Sequence, residues 1–403
     1  MRIVFLTQWF DPEPTFKGIV FAHELLRRDF EVEVITGFPN YPGGKLYKGY
    51  RIKLLQKDFI DGIQITRLPL YPNHDQSVIR RVLNYISFAA SALFYGLFIL
   101  KRADVMYAYH PPLTVGIVAS IIRFFRGIPV VYDIQDMWPD TLRASGMINS
   151  PGTINLISKV CNWVYHNVDY IVVLSPGFKR LLIERGVPQN KIDVIYNWAN
   201  EKALVYREAV LPNNFPDESA FKIVFAGNMG KAQGLDAVLE AAALLKLANS
   251  RAVFVMIGGG LDVSRLQCRA AEMLLNNVVF FPTVSMEKVS NYLFSADLLL
   301  VHLKKDPLFR ITIPSKTQAY MCVGKPLLMA VEGDASELVS KSNGGIVVQS
   351  DSPRELAQAI ARLASLDKCE LTRMGEQAQQ YYSEHLSLEI GVSKFVKIFR
   401  KFQ

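Results

Sequence analysis

The chain reads as an α/β protein made of two doubly wound, Rossmann-like parallel-sheet domains facing a cleft. Three observations predict this. Short runs of branched and aromatic apolar residues alternate with helix-period runs along most of the sequence. The alternation pauses once, in the polar and proline-bearing stretch 197–220, and then resumes. With 403 residues, half of them apolar, the chain is long enough for two cores of ordinary size. The expected division is an N-terminal domain over 1–200, a linker over 201–220, a C-terminal domain over 221–385, and a helix over 386–403 that returns to the first domain.

In the first series, "RIVFLTQ" (2–8) is a strand, followed by a helix around 19–28 and the strand "EVEVIT" (31–36). Further strands are "GIQITRLP" (62–69), "DVMYAYH" (104–110), "IPVVYDIQ" (128–135) and "DYIVVLS" (169–175), with a helix over 151–165. Strands this apolar belong to parallel sheets covered on both faces. The second series runs "FKIVFAGN" (221–228), helix 235–247, "AVFVMIGGG" (252–260), helix 263–275, "NVVFFPTV" (277–284), helix 286–295 and "DLLLVHL" (297–303). Then come "IPSKTQAYMCVGKP" (313–326), a helix start and stop, the strands "PLLMAV" (326–331) and "GGIVVQS" (344–350), and two helices over 353–384. The last segment, "IGVSKFVKIFRKFQ", is a basic amphipathic helix that either packs on the first half or touches a membrane.

The net charge of +8 is unevenly spread. Between Ser77 and Arg126 stand Arg80, Arg81, Lys101, Arg102, Arg123 and Arg126 against Asp104 alone, a local charge of +5. Within this region "YISFAASALFYGLFIL" (85–100) carries no charge. A span needs ~20 apolar residues, so the segment reads first as a helix dipping into one leaflet, its flanking bases on anionic headgroups. A buried core helix and a full span are the other readings. Nucleic acid is not expected, because the bases flank an apolar plug and no recognition motif accompanies them. The four cysteines show no metal-ligand spacing and read as isolated buried thiols of a reducing compartment. The N-terminus lacks a signal-peptide pattern, so a cytosolic protein is expected.

In open parallel sheets, ligands sit beyond the carboxyl ends of strands at the switch point, so residues just after a strand are the candidates. Three stretches of the second half qualify. "FAGNMGKAQGLD" offers Gly227, Asn228, Gly230 and Lys231 between a strand and a helix, where backbone N–H groups and the helix dipole favour an anion. Its spacing is neither G-x-G-x-x-G nor a Walker loop, and alone it is equally an ordinary turn. "IGGGLD" adds Gly258 and Gly259 at a second strand end. In "IPSKTQ", Pro314 and Ser315 start a helix, and Lys316 puts a positive charge at the positive end of its dipole, a placement that only an anion favours. Three such helix mouths in one domain predict a nucleoside diphosphate.

"VFAGNMGKAQGLDAVLEAAALL", "IGGG", "FFPTV" and "IPSKTQAYMCVGKPLLMAVEGDASELV" resemble the nucleotide-binding half of retaining GT-B glycosyltransferases of family 4, as does "KIDVIYNWAN". "FDPEPTFKGIVFAHELLRRDFEVEVITGFPNYPGG" and "YDIQDMWPDTLRASGMI" resemble the family's first half, so the resemblance covers nearly the whole chain. In detail it is similar to the N-acetyl-L-fucosamine transferases of bacterial O-antigen and capsule (lipopolysaccharide and polysaccharide) assembly. The resemblance implies a UDP-sugar donor held by Lys231 and Lys316, with Thr283 and Val284 of "FPTV" giving backbone groups for the base. Many members carry two glutamates eight positions apart in and before the third helix; here those positions are Ile311 and Ala319. Gln318 is the expected substitute for the ribose contact, and Arg310 is placed near donor sugar or phosphate.

On the first half the strand-end criterion selects "FDPEPTFKG", "GFPNYPGG" with Asn40 and Tyr41, "YHPP" with His110, and "DIQDMWPD". The family's glycine pair after the first strand is Lys17–Gly18 here, so Gly18 alone matches, and Gln135 stands where a histidine is common. Asp136 is the expected acceptor-side carboxylate. Asp133, Asp136 and Asp140 give no clear octahedral set, and neither metal nor cofactor is expected. His110 is either an acceptor contact or a structural core histidine. The resemblance implies a lipid-linked saccharide acceptor presented at the cytoplasmic face of the bacterial inner membrane. Two rivals are an epimerase on the same fold, for which the second half offers no acid/base set, and a silent nucleotide-sugar-binding partner, which the absent glutamates keep open.

Overall fold

The computed structural model describes the chain except residues 74–76, 145, 146, 149 and 207–210. It divides into two compact units: Met1–Tyr196 with Gly391–Gln403, and Asn197–Ile390. The described part of the expected linker, 201–206 and 211–220, falls in the second unit, and 207–210 lie outside the described residues.

The first unit holds an eight-stranded sheet of β1 (Arg2–Thr7), β2 (Glu31–Gly37), β3 (Gln56–Ile60), β4 (Ile63–Leu68), β5 (Val105–Tyr109), β6 (Val130–Ile134), β7 (Tyr170–Val173) and β8 (Ile192–Val194). The order is β3-β4-β2-β1-β5-β6-β7-β8, parallel throughout except for β3. Beyond Arg2, every residue of β1 is buried, as expected for a central strand covered on both faces. β3 pairs antiparallel with β4 across Asp61–Gly62, both at positive φ, the conformation a two-residue hairpin turn requires. That hairpin and β8 go beyond the strands expected from the sequence. The chain direction around the sheet switches between β1 and β5, so the ends of β1, β2, β5 and β6 deliver residues to one crevice.

The charge-free run is the C-terminal part of a longer helix, Val78–Phe98, whose first turn already contains Arg80 and Arg81. One side packs inward through Asn84, Phe88, Ala92 and Tyr95. The other exposes Ile79, Ile86, Phe94 and Phe98, and Phe124 and Phe125 of helix Leu113–Arg126 are exposed as well. Neither a buried core helix nor a span describes this: one face is core, and among the described residues no helix is long and apolar enough to cross a membrane.

The second unit holds β9 (Phe221–Ala226), β10 (Ala252–Ile257), β11 (Val278–Phe281), β12 (Leu298–His302), β13 (Leu327–Ala330) and β14 (Gly345–Val347). All are parallel, in the order β11-β10-β9-β12-β13-β14, the doubly wound order with its switch between β9 and β12. Helices Asp236–Leu247 and Pro353–Ser365 cover one face, burying Leu239, Ala242, Leu356 and Ile360 against Phe254 and Leu300. The fold class expected from the alternation is thereby borne out. All four cysteines are free; Cys161 is buried, but Cys268 and Cys369 are exposed, because they ride the solvent faces of helices Val263–Glu272 and Lys368–His385.

Candidate functional site

In the second unit β9 and β10 leave the sheet side by side, so their glycine turns meet. Gly258, at φ +140°, lies so close to Gly227 that a Cβ on it would stand 2.0 Å from the Gly227 carbonyl oxygen. Only glycine fits there. The N–H of Gly227 donates to Ile257 O (2.9 Å) and that of Gly258 to Phe281 O (3.1 Å), so these two amides build the turn rather than face solvent. Gly259 lies against Thr283, whose Oγ1 would be 2.8 Å from an added Cβ. Asn228 and Lys231 are exposed, and the Gly230 N–H donates to Gln233 Oε1 at 3.0 Å.

The helix Ser315–Val323 starts beneath this turn. Pro314 precedes it, no side chain caps it, and Ser315 is exposed; the Thr317 N–H turns back to Pro314 O at 2.8 Å, which leaves the Ser315 and Lys316 N–H groups for an outside acceptor. The Tyr320 hydroxyl ties the helix to the end of β9, accepting from Ala226 N at 2.8 Å. Lys316 Nζ would be 3.3 Å from a Cβ on Gly227 and sits 3.5 Å above the centre of the Phe225 ring. This Nζ is buried and has no hydrogen-bond partner. Burial pushes its pKa down to about 7. A buried amine with no hydrogen-bond partner, at a helix N-terminus, is a site prepared for an anion. The structure thus gathers Gly227, Gly258, Gly259, Thr283, Ser315 and Lys316.

Two expected donor residues have partners within the unit. Gln318 is 3% exposed, with its amide facing the Pro314 (3.0 Å) and Ser315 (3.3 Å) carbonyls of its own helix start. Arg310 is exposed and pairs with Glu332 at 3.6 Å. Val284 is half-buried behind Thr283. His302, not singled out in the sequence, is buried at the end of β12 with Nδ1 2.6 Å from Gln233 O.

In the first unit, Gly18 precedes the helix Ile19–Leu26, and the Asp11 carboxylate occupies that helix mouth, accepting from Ile19 N at 2.6 Å. A Cβ on Gly18 would meet Asp11 Oδ2 at 2.1 Å. Lys17 is fully buried and pairs with Asp133 at 2.7 Å; Asp133 also accepts from Tyr107 Oη (2.5 Å) and Gln135 Nε2 (2.7 Å). Asp140 pairs with Arg185. Asp133 and Asp140 are thus engaged by basic partners, and among the described residues no three His, Cys, Asp or Glu side chains group for a metal. Asp136 is half-buried, and burial raises its carboxyl above the usual range. His110 is buried against the edges of Trp138 and Tyr132, its Nδ1 without a hydrogen-bond partner, and burial pushes it down to about 3. It is a neutral core histidine at physiological pH. Asn40 is buried and Tyr41 half-buried, their N–H groups both donating to Glu13 Oε1 at 2.7 Å.

Residues 207–381 match the family model for glycosyl transferases group 1, and residues 21–198 match the glycosyl transferase 4-like domain. The chain is 27% identical over 296 residues to the probable glycosyltransferase WbjE of Pseudomonas aeruginosa, covering 72% of this chain and 73% of that one. It is 26% identical over 401 residues to WcaI of Escherichia coli, named for a glycosyl transferase role in colanic acid biosynthesis, with 93% of each covered. Among solved structures it superposes on Anabaena HepE in complex with UDP and glucose with a TM-score of 0.70 at 16% identity, over all of both chains. Sucrose-phosphate synthase from Thermosynechococcus elongatus gives 0.71 at 15% identity, over 99% and 98%. With both units matched in order by glycosyl transferase domains and the whole chain sharing this fold, the protein is a glycosyltransferase of the GT-B type.

Proposed function

We propose that this glycosyltransferase moves a sugar from a UDP-sugar to a polyprenyl-diphosphate-linked saccharide, with retention at the anomeric carbon, in the assembly of a bacterial surface polysaccharide such as O-antigen or capsule. N-acetyl-L-fucosamine is the sugar the sequence resemblance favours. The observation that carries the reading is Lys316 Nζ, buried and without a hydrogen-bond partner at a helix mouth beside the Gly227 turn. HepE, of the same fold, has been solved with UDP and with UDP-glucose, which favours the same donor class here.

In this reading Lys316, Lys231 and the N–H groups of Ser315 and Lys316 stabilise the leaving diphosphate without a metal, with Gly259, Thr283 and Val284 at the base and Arg310 near the sugar. As the bond from the anomeric carbon to the diphosphate oxygen breaks, the acceptor oxygen bonds to that carbon on the same face. Its proton passes to the departing phosphate. Asp136, with Tyr41 and Gln135, orients the acceptor hydroxyl, while the buried Asn40 holds the Tyr41 loop and does not meet the acceptor. Gly18 and Gln318 stay outside our donor set, the first because Asp11 fills its helix mouth, the second because its amide faces its own helix. The exposed apolar face of Val78–Phe98, flanked by exposed Arg80, Lys101 and Arg102, holds the enzyme on the anionic inner surface of the membrane where the acceptor resides.

The test is UDP release from a panel of UDP-sugars, with and without a polyprenyl-diphosphate-sugar acceptor, in wild type and Lys316→Ala. Release from one donor, raised by acceptor and cut ~100-fold or more by the substitution, is expected. UDP binding without release from any donor would point instead to a silent nucleotide-sugar-binding partner.

A further inference from the structure

Three aromatic rings converge in the first unit, at the end of β1, after β2 and on the helix Val78–Phe98. The Trp9 and Tyr41 rings stack 4.4 Å apart at 24°, and Tyr85 meets Trp9 nearly edge-on at 6.3 Å. All three keep part of their surface in solvent. Asp136 lies near enough for its charge to add to the burial that raises the Tyr41 and Tyr85 phenols.

The rings come from three distant segments, and each is preceded in sequence by a buried amide side chain: Gln8, Asn40 and Asn84, none more than 1% exposed. These amides bond to one another. Gln8 Nε2 donates to Asn84 Oδ1 (2.5 Å) and Asn84 Nδ2 to Asn40 Oδ1 (3.2 Å). Asn84 Nδ2 also reaches Tyr71 O at 2.7 Å, and Glu13 fixes the Asn40–Tyr41 backbone. Gln8 Oε1 finds no hydrogen-bond partner of its own, but the bonds among the three amides and to the Tyr71 carbonyl hold what they carry in place. They fix the end of β1, the loop after β2 and the helix Val78–Phe98 in one register, so the rings above them are preorganised.

We propose that Trp9, Tyr41 and Tyr85 form the seat for a pyranose ring of the acceptor, with one C–H face of the sugar laid on the aromatic shelf and a hydroxyl reaching Asp136. The proposal rests on the reading of the first unit as the acceptor side, and adds Trp9 and Tyr85 as specificity-determining contacts. A pyranose presents an apolar face edged by hydroxyls, and aromatic rings beside a carboxylate complement both parts. A purely apolar ligand would leave the carboxylate without use. Tyr85 lies on the same helix as the exposed Ile86 and Phe94, so a saccharide carried on a lipid reaches the shelf along the element that meets the membrane.

The test is independent of turnover: saturation-transfer NMR of the full chain with the methyl glycosides of glucose, galactose, N-acetylglucosamine, N-acetylgalactosamine, rhamnose and fucose. Wild type saturates the ring C–H protons of at least one glycoside. Trp9→Ala and Tyr85→Leu weaken that signal about fivefold or more, while Tyr85→Phe keeps it. Melting followed by circular dichroism checks the fold, and the half-exposed Tyr85 supplies a foldable variant if Trp9→Ala does not fold. Absence of saturation for every glycoside in wild type, or an undiminished signal in folded Tyr85→Leu, overturns the proposal. Failed UDP release with the glycoside signal intact would sink the transfer reading and leave this seat standing.

Discussion

Lys316 stands in the first turn of its helix, opposed to the dipole, with its Nζ enclosed and without a hydrogen-bond partner. Burial holds its pKa at about 7 in the free protein, far below an ordinary lysine. A diphosphate beside it favours the charged form, so the pKa in the complex must be higher. Binding above pH 7 therefore takes up a proton, and affinity falls as pH rises from about 7 toward the pKa of the complex. For folding the sign is opposite: the unfolded lysine binds the proton more tightly, so this group's contribution to stability rises between pH 7 and 10.5. Calorimetric titration of UDP at pH 6 to 9, in buffers of different ionisation enthalpy, should show proton uptake approaching one at pH 8. Lys316→Met, which keeps the stem, should abolish it. Proton-neutral binding by the wild type would show that the amine does not meet the phosphate.

At the scale of elements, the alternation of apolar strands and helices was readable because both faces of each central strand are buried, which leaves near-continuous apolar runs such as β1 and β12. β3 escaped because "QKDFI" is a half-exposed edge strand with no such run, although the Asp61–Gly62 pair marked its turn. The aromatic shelf was half legible: Tyr41 stood out at a strand end, but Tyr85 lies inside a helix, where an aromatic reads as core. Gln8 and Asn84 depend on contacts across 76 residues that no local pattern encodes. The helix Val78–Phe98 misled for a related reason, since its charge-free run includes both a core face and an exposed one. That exposed face makes a prediction of its own. Each phenylalanine that moves from water into a lipid surface is worth ~1.5–3 kcal/mol, so Phe98→Ser with Phe94→Ser should cut binding to anionic phospholipid vesicles by at least ~100-fold in a flotation assay. Replacing Arg80, Arg81, Lys101 and Arg102 with alanine should also weaken binding, and salt should weaken the wild type but not that variant to the same degree. Vesicle binding unchanged by either set would remove the membrane from the functional reading without touching the donor site.

On the scale of the whole molecule, the chain begins and ends in the same unit. Helix Leu388–Phe399 crosses into the first unit at Gly391, and its Val392, Phe395 and Phe399 are wholly buried there. Phe395 meets Phe21 and Tyr107 edge to face at 5.2 and 5.4 Å, and Phe399 meets Tyr107 at 5.8 Å. The Lys17 ammonium lies 5.4 Å from the Phe395 ring, so this last segment also roofs the buried Lys17–Asp133 pair. Removing residues 391–403 would open a cavity of two aromatic side chains and let water reach an ion pair whose neighbours were chosen to exclude it. Losses of ~3–5 kcal/mol per large aromatic are usual for such truncations, comparable with the whole stability of a domain. The damage should stay local, because the core of the second unit is built from its own strands and helices. Hydrogen exchange read by mass spectrometry should therefore show lost protection in β1, β5 and β6 of the truncated chain, with β9, β10 and β12 protected as in the full protein. UDP affinity should be kept while transfer to acceptor is lost. Uniform loss of protection in both sheets would mean that the two units fold as one, and that the returning helix supports the donor half as well.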